Sequence, residues 1–194
     1  MDRMVDTDSG QVAVRYSNLA VAIHWITAVL ILTQVAIGLE FADMAKGPDR
    51  SLLFTWHKTI GVTILLLAIV RLIVRLMNPP PPFPAEFPKW ERFAAVWNHR
   101  LFYFLIIALP VTGLSAVSDH AVHGMTTLIG GLKFPVIPLG DTGDLHVFLV
   151  WTTIALLAIH VGAALKQQFF DRSIVAGRMP PFRSPRVKAD PPAD

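Results

Sequence analysis

Four long apolar runs, separated by polar and proline-rich stretches, organise the chain: residues 19–39, 52–76, 97–117 and 145–165. Each has about the 20 residues a helix needs to cross a hydrocarbon core about 30 Å thick. Inside them the apolar positions go almost all the way round, as suits helices bathed in lipid. The pattern predicts an all-α fold, an integral membrane four-helix bundle. The second run is interrupted late by Arg71 and Arg75, one helical turn apart on one face. Long basic side chains at such a place can reach out to the interface.

The connections predict less. Residues 1–15 form an N-terminal segment, 16–176 the transmembrane domain, and 177–194 a tail rich in proline, arginine and acids, expected to be disordered. The stretch 78–88 holds prolines at 79–82, 84 and 88, and is expected to be extended and semi-rigid. The 118–144 connection carries His120, His123 and the pair Gly130–Gly131, with no firm element. No internal repeat is evident. Asp2, Asp6 and Asp8 replace the basic region of a cleaved leader, so the first apolar run is expected to stay in the chain.

Composition agrees with a lipid solvent. The 194 residues are 53% hydrophobic and 16% charged, with a mean hydropathy of +0.51, whereas soluble domains are about 25% charged. Arg3, Arg15, Arg71, Arg75, Lys89, Arg92, Arg100, Lys166, Arg172, Arg178, Arg183, Arg186 and Lys188 lie on the side of the termini. Only Lys46, Arg50, Lys58 and Lys133 lie opposite. This asymmetry predicts cytoplasmic N- and C-termini, and it accounts for the basic balance without a nucleic-acid partner. Trp25, Trp56 and Trp97 fall near run ends, as an interfacial aromatic belt would. The absence of cysteine excludes disulfides, cysteine-held iron–sulfur clusters and covalently attached haem.

The chemistry lies in the histidines. His146 and His160 are fourteen residues apart with no ionisable side chain between them. On one helix that places them on nearly the same face, about 40° off and roughly 21 Å apart along the axis. His24 and His57 stand near the starts of the first and second runs. With the termini inside, depth pairs His24 with His160 on the cytoplasmic side and His57 with His146 on the periplasmic side. Two levels of paired imidazoles are what two stacked, non-covalent b-type haems require.

A single membrane histidine more simply hydrogen-bonds across a helix interface. Two level pairs sharing one partner helix favour ligation instead. A neutral imidazole whose lone pair goes to iron also avoids the roughly 2.5 kcal/mol or more that a charged group costs at that depth. His146, Val150, Thr153, Leu157, His160 and Ala164 define one inward seam. Gly61 beyond His57, and Gly162, Ala163 and Ala164 around His160, are expected to let a flat macrocycle approach the backbone. Lys58, Arg71, Arg75 and His99 are candidates to contact haem propionates or a quinone head group, or simply to anchor the interface. His120 and His123 read as solvated loop residues. No catalytic side chain stands out.

Together these residues resemble the bacterial cytochrome b561 family of di-haem membrane cytochromes, over roughly residues 16–180. Tyr16 and Ser17 precede His24–Trp25, and Trp56–His57–Lys58 is followed by Gly61. Arg71–Leu72 leads to Arg75, and Leu109–Pro110 to Thr112–Gly113. His160 precedes Ala163–Ala164, then Arg178–Met179 and Pro181. The resemblance implies axial ligation by His24, His57, His146 and His160, and two haem b groups. It implies electron transfer with ubiquinone at the bacterial inner membrane. The donor would be periplasmic: superoxide in some relatives, a redox protein such as a dehydrogenase or hydrogenase in others. Gln167 and Gln168 stand where many relatives have histidine, at positions axial ligation does not use.

The outer side opposes its four bases with Glu40, Asp43, Asp49, Asp119, Asp141 and Asp144, a net charge of −2. Such a face does not steer an anion like superoxide, although Lys58 beside His57 offers a local positive spot. Two rival readings use the same imidazoles differently. A transition-metal transporter or binding protein needs ligands converging within a few ångströms, and a structural anchor needs no ligand at all.

Overall fold

Each apolar run forms one helix, and each helix extends beyond its run at one end or both. In the computed structural model, which describes residues 3–6, 12–80, 82–83, 87–171 and 175–181, α1 spans Asn18–Asp43 and α2 spans Pro48–Met77. α3 covers Lys89–Ala116, and α4 Gly143–Leu165. All four are long and apolar enough to cross a membrane. Ser17 caps α1 by accepting from the Ala20 amide at 3.3 Å. α2 begins on Pro48 with Asp49 beside it, a start that suits both the fixed φ of proline and the helix dipole.

α3 begins eight residues before its predicted start. Lys89, Glu91 and Arg92 make its first turns too polar for hydropathy to register, yet nothing there prevents helix. Trp97 therefore lies two turns inside α3 instead of at its end, and Trp25 and Trp56 lie in the second and third turns of their helices. Pro110 sits inside α3, where it withholds one backbone donor. The Thr112 hydroxyl donates nearby, 2.8 Å from Ala108 O and 3.0 Å from Leu109 O.

α1 packs on α2, α2 on α3, and α3 on α4. α4 leans on α3 and stands off from α1 and α2, which leaves room along its inner face. The predicted seam is that face. Thr153 is fully buried and Val150, Leu157, His160 and Ala164 are half-buried, while Phe148, Trp151, Ile159 and Val161 point outward.

The connections hold more structure than their composition predicts. β1 (Arg3–Asp6) pairs with β2 (Val12–Arg15) as an antiparallel hairpin within the expected plain N-terminal segment. The 118–144 connection contains two 3-10 turns, Ser118–His120 and Ile129–Gly131. It also contains an antiparallel pair, β3 (Met125–Thr127) with β4 (Lys133–Pro135). Gly130 and Gly131 have φ of 70° and 80°, which permits the reversal between the strands.

This unit folds back onto the bundle. Leu128 joins Val62 and Leu114 in a small core, against which Leu65, Phe134 and Ile137 pack. Ile129 N–H donates to Thr59 Oγ1 at 3.0 Å, and Thr142 Oγ1 donates to Thr112 O at 2.7 Å.

At the opposite end the first residues of the predicted tail are also ordered. A turn at Ala176–Arg178 lies under the entry to α1. Tyr16 N–H reaches Arg178 O at 3.4 Å, and Trp25 Nε1 donates to Pro180 O at 2.6 Å. α4 continues as a π turn, Lys166–Phe170, where Lys166 Nζ meets Glu91 at 3.0 Å and Asp171 at 2.6 Å. Residues 182–194, with Arg183, Arg186 and Lys188, lie outside the described residues, as do Arg172 and positions 81 and 84–86 of the proline stretch.

Candidate haem sites

α4 presents its two histidines to two different helices. The His146 ring faces His57 of α2 with centroids 6.2 Å apart, and the His160 ring faces His24 of α1 at 6.4 Å. All four rings are half-buried. Neither separation allows a direct imidazole–imidazole hydrogen bond along the ring axes. Both leave room for one metal ion between the two rings. A metal–nitrogen bond of about 2 Å from each ring, with the nitrogen about 1.1 Å from its ring centre, would span about 6.2 Å between the centres. The spacing and the stand-off of α4 therefore fit a flat macrocycle at each level.

The protons are arranged by the partners of Nδ1. His146 Nδ1 lies 2.9 Å from Leu109 O, which can only accept, so Nδ1 carries the proton and the lone pair is on Nε2. Thr112 Oγ1 is 3.1 Å from the same nitrogen. His160 Nδ1 donates to Asn98 Oδ1 at 2.9 Å, with the same consequence. A metal-binding histidine usually has this kind of support, because the bond fixes the tautomer and turns the ring.

His24 differs. Its Nδ1 is 3.1 Å from Arg71 Nη2, which can only donate, so here Nδ1 accepts and the proton sits on Nε2. A metal held through Nε2 would require the proton on Nδ1, and Arg71 would then stay beside the ring as a neighbouring cation and not as a hydrogen-bond donor. His57 Nδ1 is buried and has no hydrogen-bond partner among the described residues.

Two glycines let the outer pair fit. A Cβ at Gly38 would stand 3.1 Å from His57 Cε1, and one at Gly113 would stand 3.1 Å from His146 Cε1. The small residues expected to let a macrocycle approach are different ones, and they do not touch the rings. A Cβ at Gly61 would meet the side chain of Gln34, and one at Gly162 would meet nothing within 4 Å. Gly162 and Ala163 are exposed; Gly162, two residues past His160, turns away from it.

The remaining predicted residues divide between the two ends. With His24 and His160 lie Arg71, whose guanidinium is also 5.8 Å from the Tyr103 ring centre, and Arg75, 3.5 Å from Tyr16 OH. His99 is 5.6 Å from His160 between ring centres, with Nδ1–H donated to Ala95 O at 2.6 Å. At the other end Lys58 Nζ reaches Thr126 Oγ1 at 3.2 Å, and a recess of about 150 Å³ brings His120 to the same place. His123 joins neither end; it is exposed, with φ of 53°. Among the described residues, no group of three or more histidine, aspartate or glutamate side chains converges as a metal site.

Gln34, Gly38 and Asn98 were not singled out from the sequence. Gln34 and Gly38 had a readable signal, being an amide and a glycine four residues apart in an otherwise apolar helix. Such a pair shares a face. Asn98 had none, since it falls among polar residues near an interface.

Comparison with known proteins agrees with the four-helix membrane fold. The family described as "Prokaryotic cytochrome b561" matches residues 15–181. The chain is 28% identical to "Cytochrome b561 homolog 2" of Escherichia coli (strain K12) over 177 residues, covering 85% of this chain and 90% of that protein. It is 28% identical to "Cytochrome b561 homolog 1" of the same organism over 175 residues, covering 87% and 98%. It is 27% identical to "Probable superoxide oxidase CybB" of Yersinia pestis over 174 residues, covering 86% and 96%.

Proposed function

The chain belongs to the prokaryotic cytochrome b561 family, and from that premise we propose that it is a di-haem electron carrier of the bacterial inner membrane, passing electrons from a periplasmic donor to ubiquinone. Membership makes it a haem-b membrane electron carrier. The observation that carries it is the pair of imidazole separations, 6.2 Å and 6.4 Å, at two levels of one helix.

His57 and His146 would hold the periplasmic-side haem, and His24 and His160 the cytoplasmic-side haem. When bound, these groups supply one-electron redox chemistry within an apolar interior. Leu109 O and Asn98 Oδ1 keep the protons of His146 and His160 on Nδ1, so Nε2 is ready to bind. Each ligand pair spans two helices and so ties α4 to α1 and α2. Arg71, Arg75 and His99 gather on the cytoplasmic side, where they can neutralise propionates or hold a quinone oxygen. Lys58 does the same outside. The basic asymmetry of the loops supports cytoplasmic termini.

Two donors come into view. A relative named a probable superoxide oxidase makes superoxide one. The net charge of −2 on the outer side favours a redox protein, with this chain as its membrane cytochrome subunit. A metal transporter is disfavoured, because among the described residues no three histidine, aspartate or glutamate side chains converge as a metal site.

The test is purification in detergent followed by haem quantitation and stopped-flow reduction. Two haems per chain are expected. Rapid reduction by superoxide, reoxidised by added quinone, would assign the superoxide role. Inertness to superoxide would assign a protein donor, and a colourless polypeptide would overturn the haem reading.

A further inference from the structure

Three of the four proposed ligands have a partner for Nδ1, and His57 has none. The second buried polar atom without a partner in this region belongs to Gln34. Its Oε1 is orphaned while its Nε2 donates to the backbone carbonyl of His57 at 2.9 Å. One orphan is a nitrogen that must carry a proton once Nε2 binds iron. The other is an oxygen that can only accept. They belong to residues already joined by a hydrogen bond, from the Gln34 side chain to the His57 backbone.

Gln34 also lies four residues before Gly38, whose missing Cβ lets the edge of the His57 ring rest on α1. One face of α1 therefore holds both the ring's backstop and the unused acceptor. Leaving a buried donor and a buried acceptor both unmet is costly. In a low-dielectric interior that cost is not relieved by solvent.

We propose that Gln34 is the positioning residue for His57: its amide donates to the His57 carbonyl, and its Oε1 accepts the Nδ1–H of the iron-bound ring, directly or through one water. This rests on the di-haem reading above. The consequence is electronic as well as steric. An acceptor on Nδ1 raises the basicity of the ligand, which favours ferric over ferrous iron and holds the potential of the outer haem down.

The experiment is a redox titration of the haem absorbance in the full-length protein, comparing wild type with Gln34→Met and Gln34→Glu. His57→Ala identifies which titration step is the outer one. Gln34→Met keeps the volume and removes both hydrogen-bonding atoms. It is expected to raise the outer midpoint by a tenfold change in the reduced-to-oxidised ratio, 59 mV for one electron, with the inner step unmoved. Gln34→Glu retains an acceptor oxygen and is expected to stay at or below wild type.

An unshifted outer step in a Gln34→Met protein that keeps both haems would overturn the proposal, as would equal shifts in both steps. Should Gln34→Met lose the outer haem, Gln34→Glu decides, with a midpoint above wild type overturning the proposal. A wild-type chain holding fewer than two haems overturns the di-haem reading itself, which is a separate and recognisable result.

Discussion

Gly113 of α3 lies against the His146 ring so closely that a Cβ there would stand 3.1 Å from Cε1. Gly38 of α1 has the same relation to His57. The two imidazoles of the outer pair are thus each backed by a glycine on a neighbouring helix. The close approach sets where the rings can be, and hence their 6.2 Å separation.

Replacing either glycine with alanine is expected to move its imidazole by a few tenths of an ångström. Overpacking of this kind costs about 1–3 kcal/mol, while alanine returns roughly 0.5–1 kcal/mol of helix propensity. The bundle should remain folded and the outer haem should be held more weakly. Haem quantitation after dilution would show this as a ratio falling from two towards one per chain. Gly162→Ala, with nothing within 4 Å, should leave the ratio unchanged; an equal loss there would mean that contact with the rings is not the cause.

The histidines should act in pairs. His57→Ala, His146→Ala and the double variant are each expected to lose the same single haem, because one remaining ligand does not hold it. His24→Ala and His160→Ala should lose the other. Loss of different haems by His57→Ala and His146→Ala would break the pairing. Spectra that resolve the two potentials make the distinction.

Asn98 and Thr112 both touch a ligand nitrogen, yet their loss should differ. Asn98 Oδ1 is the acceptor for His160 Nδ1–H, and supports of this kind are worth about 10–100-fold in metal affinity. Asn98→Leu is therefore expected to weaken inner-haem retention over that range. Thr112→Val leaves Leu109 O in place 2.9 Å from His146 Nδ1, so its effect should stay well below Asn98→Leu. A larger loss in Thr112→Val would make the hydroxyl, not the carbonyl, the support of His146.

Arg71 should set the inner potential. Its guanidinium approaches His24 directly, and a nearby cation stabilises the reduced, less positive iron. Arg71→Leu is expected to lower the inner midpoint by tens of millivolts while the outer midpoint stays. Arg71→Lys should recover part of the shift. An unmoved potential in Arg71→Leu would reduce this residue to an interfacial anchor.

Much of this architecture was legible from residue pattern alone. The seam of α4 followed from helical spacing, and depth by itself paired His24 with His160 and His57 with His146. Those inferences are one-dimensional: they need only rise per residue and the direction in which each run crosses. Helix ends were less legible, as at Lys89, because charged turns at an interface carry no hydropathy signal. The folded 118–144 connection was also hidden, since its order comes from Leu128 packing on Val62 and Leu114, which are remote in the chain.

What the amino-acid order determined by itself is the solvent and the candidate ligand set: apolar runs of spanning length, and four imidazoles at two depths. Both follow from local composition and helix geometry, which do not depend on neighbours. The tertiary structure decided which glycines touch the imidazoles, Gly38 and Gly113 and neither Gly61 nor Gly162. It also decided which side chains hold each imidazole nitrogen. Those choices depend on the rotation of one helix against another and on gaps of a few ångströms, distances that exist only after the helices have packed.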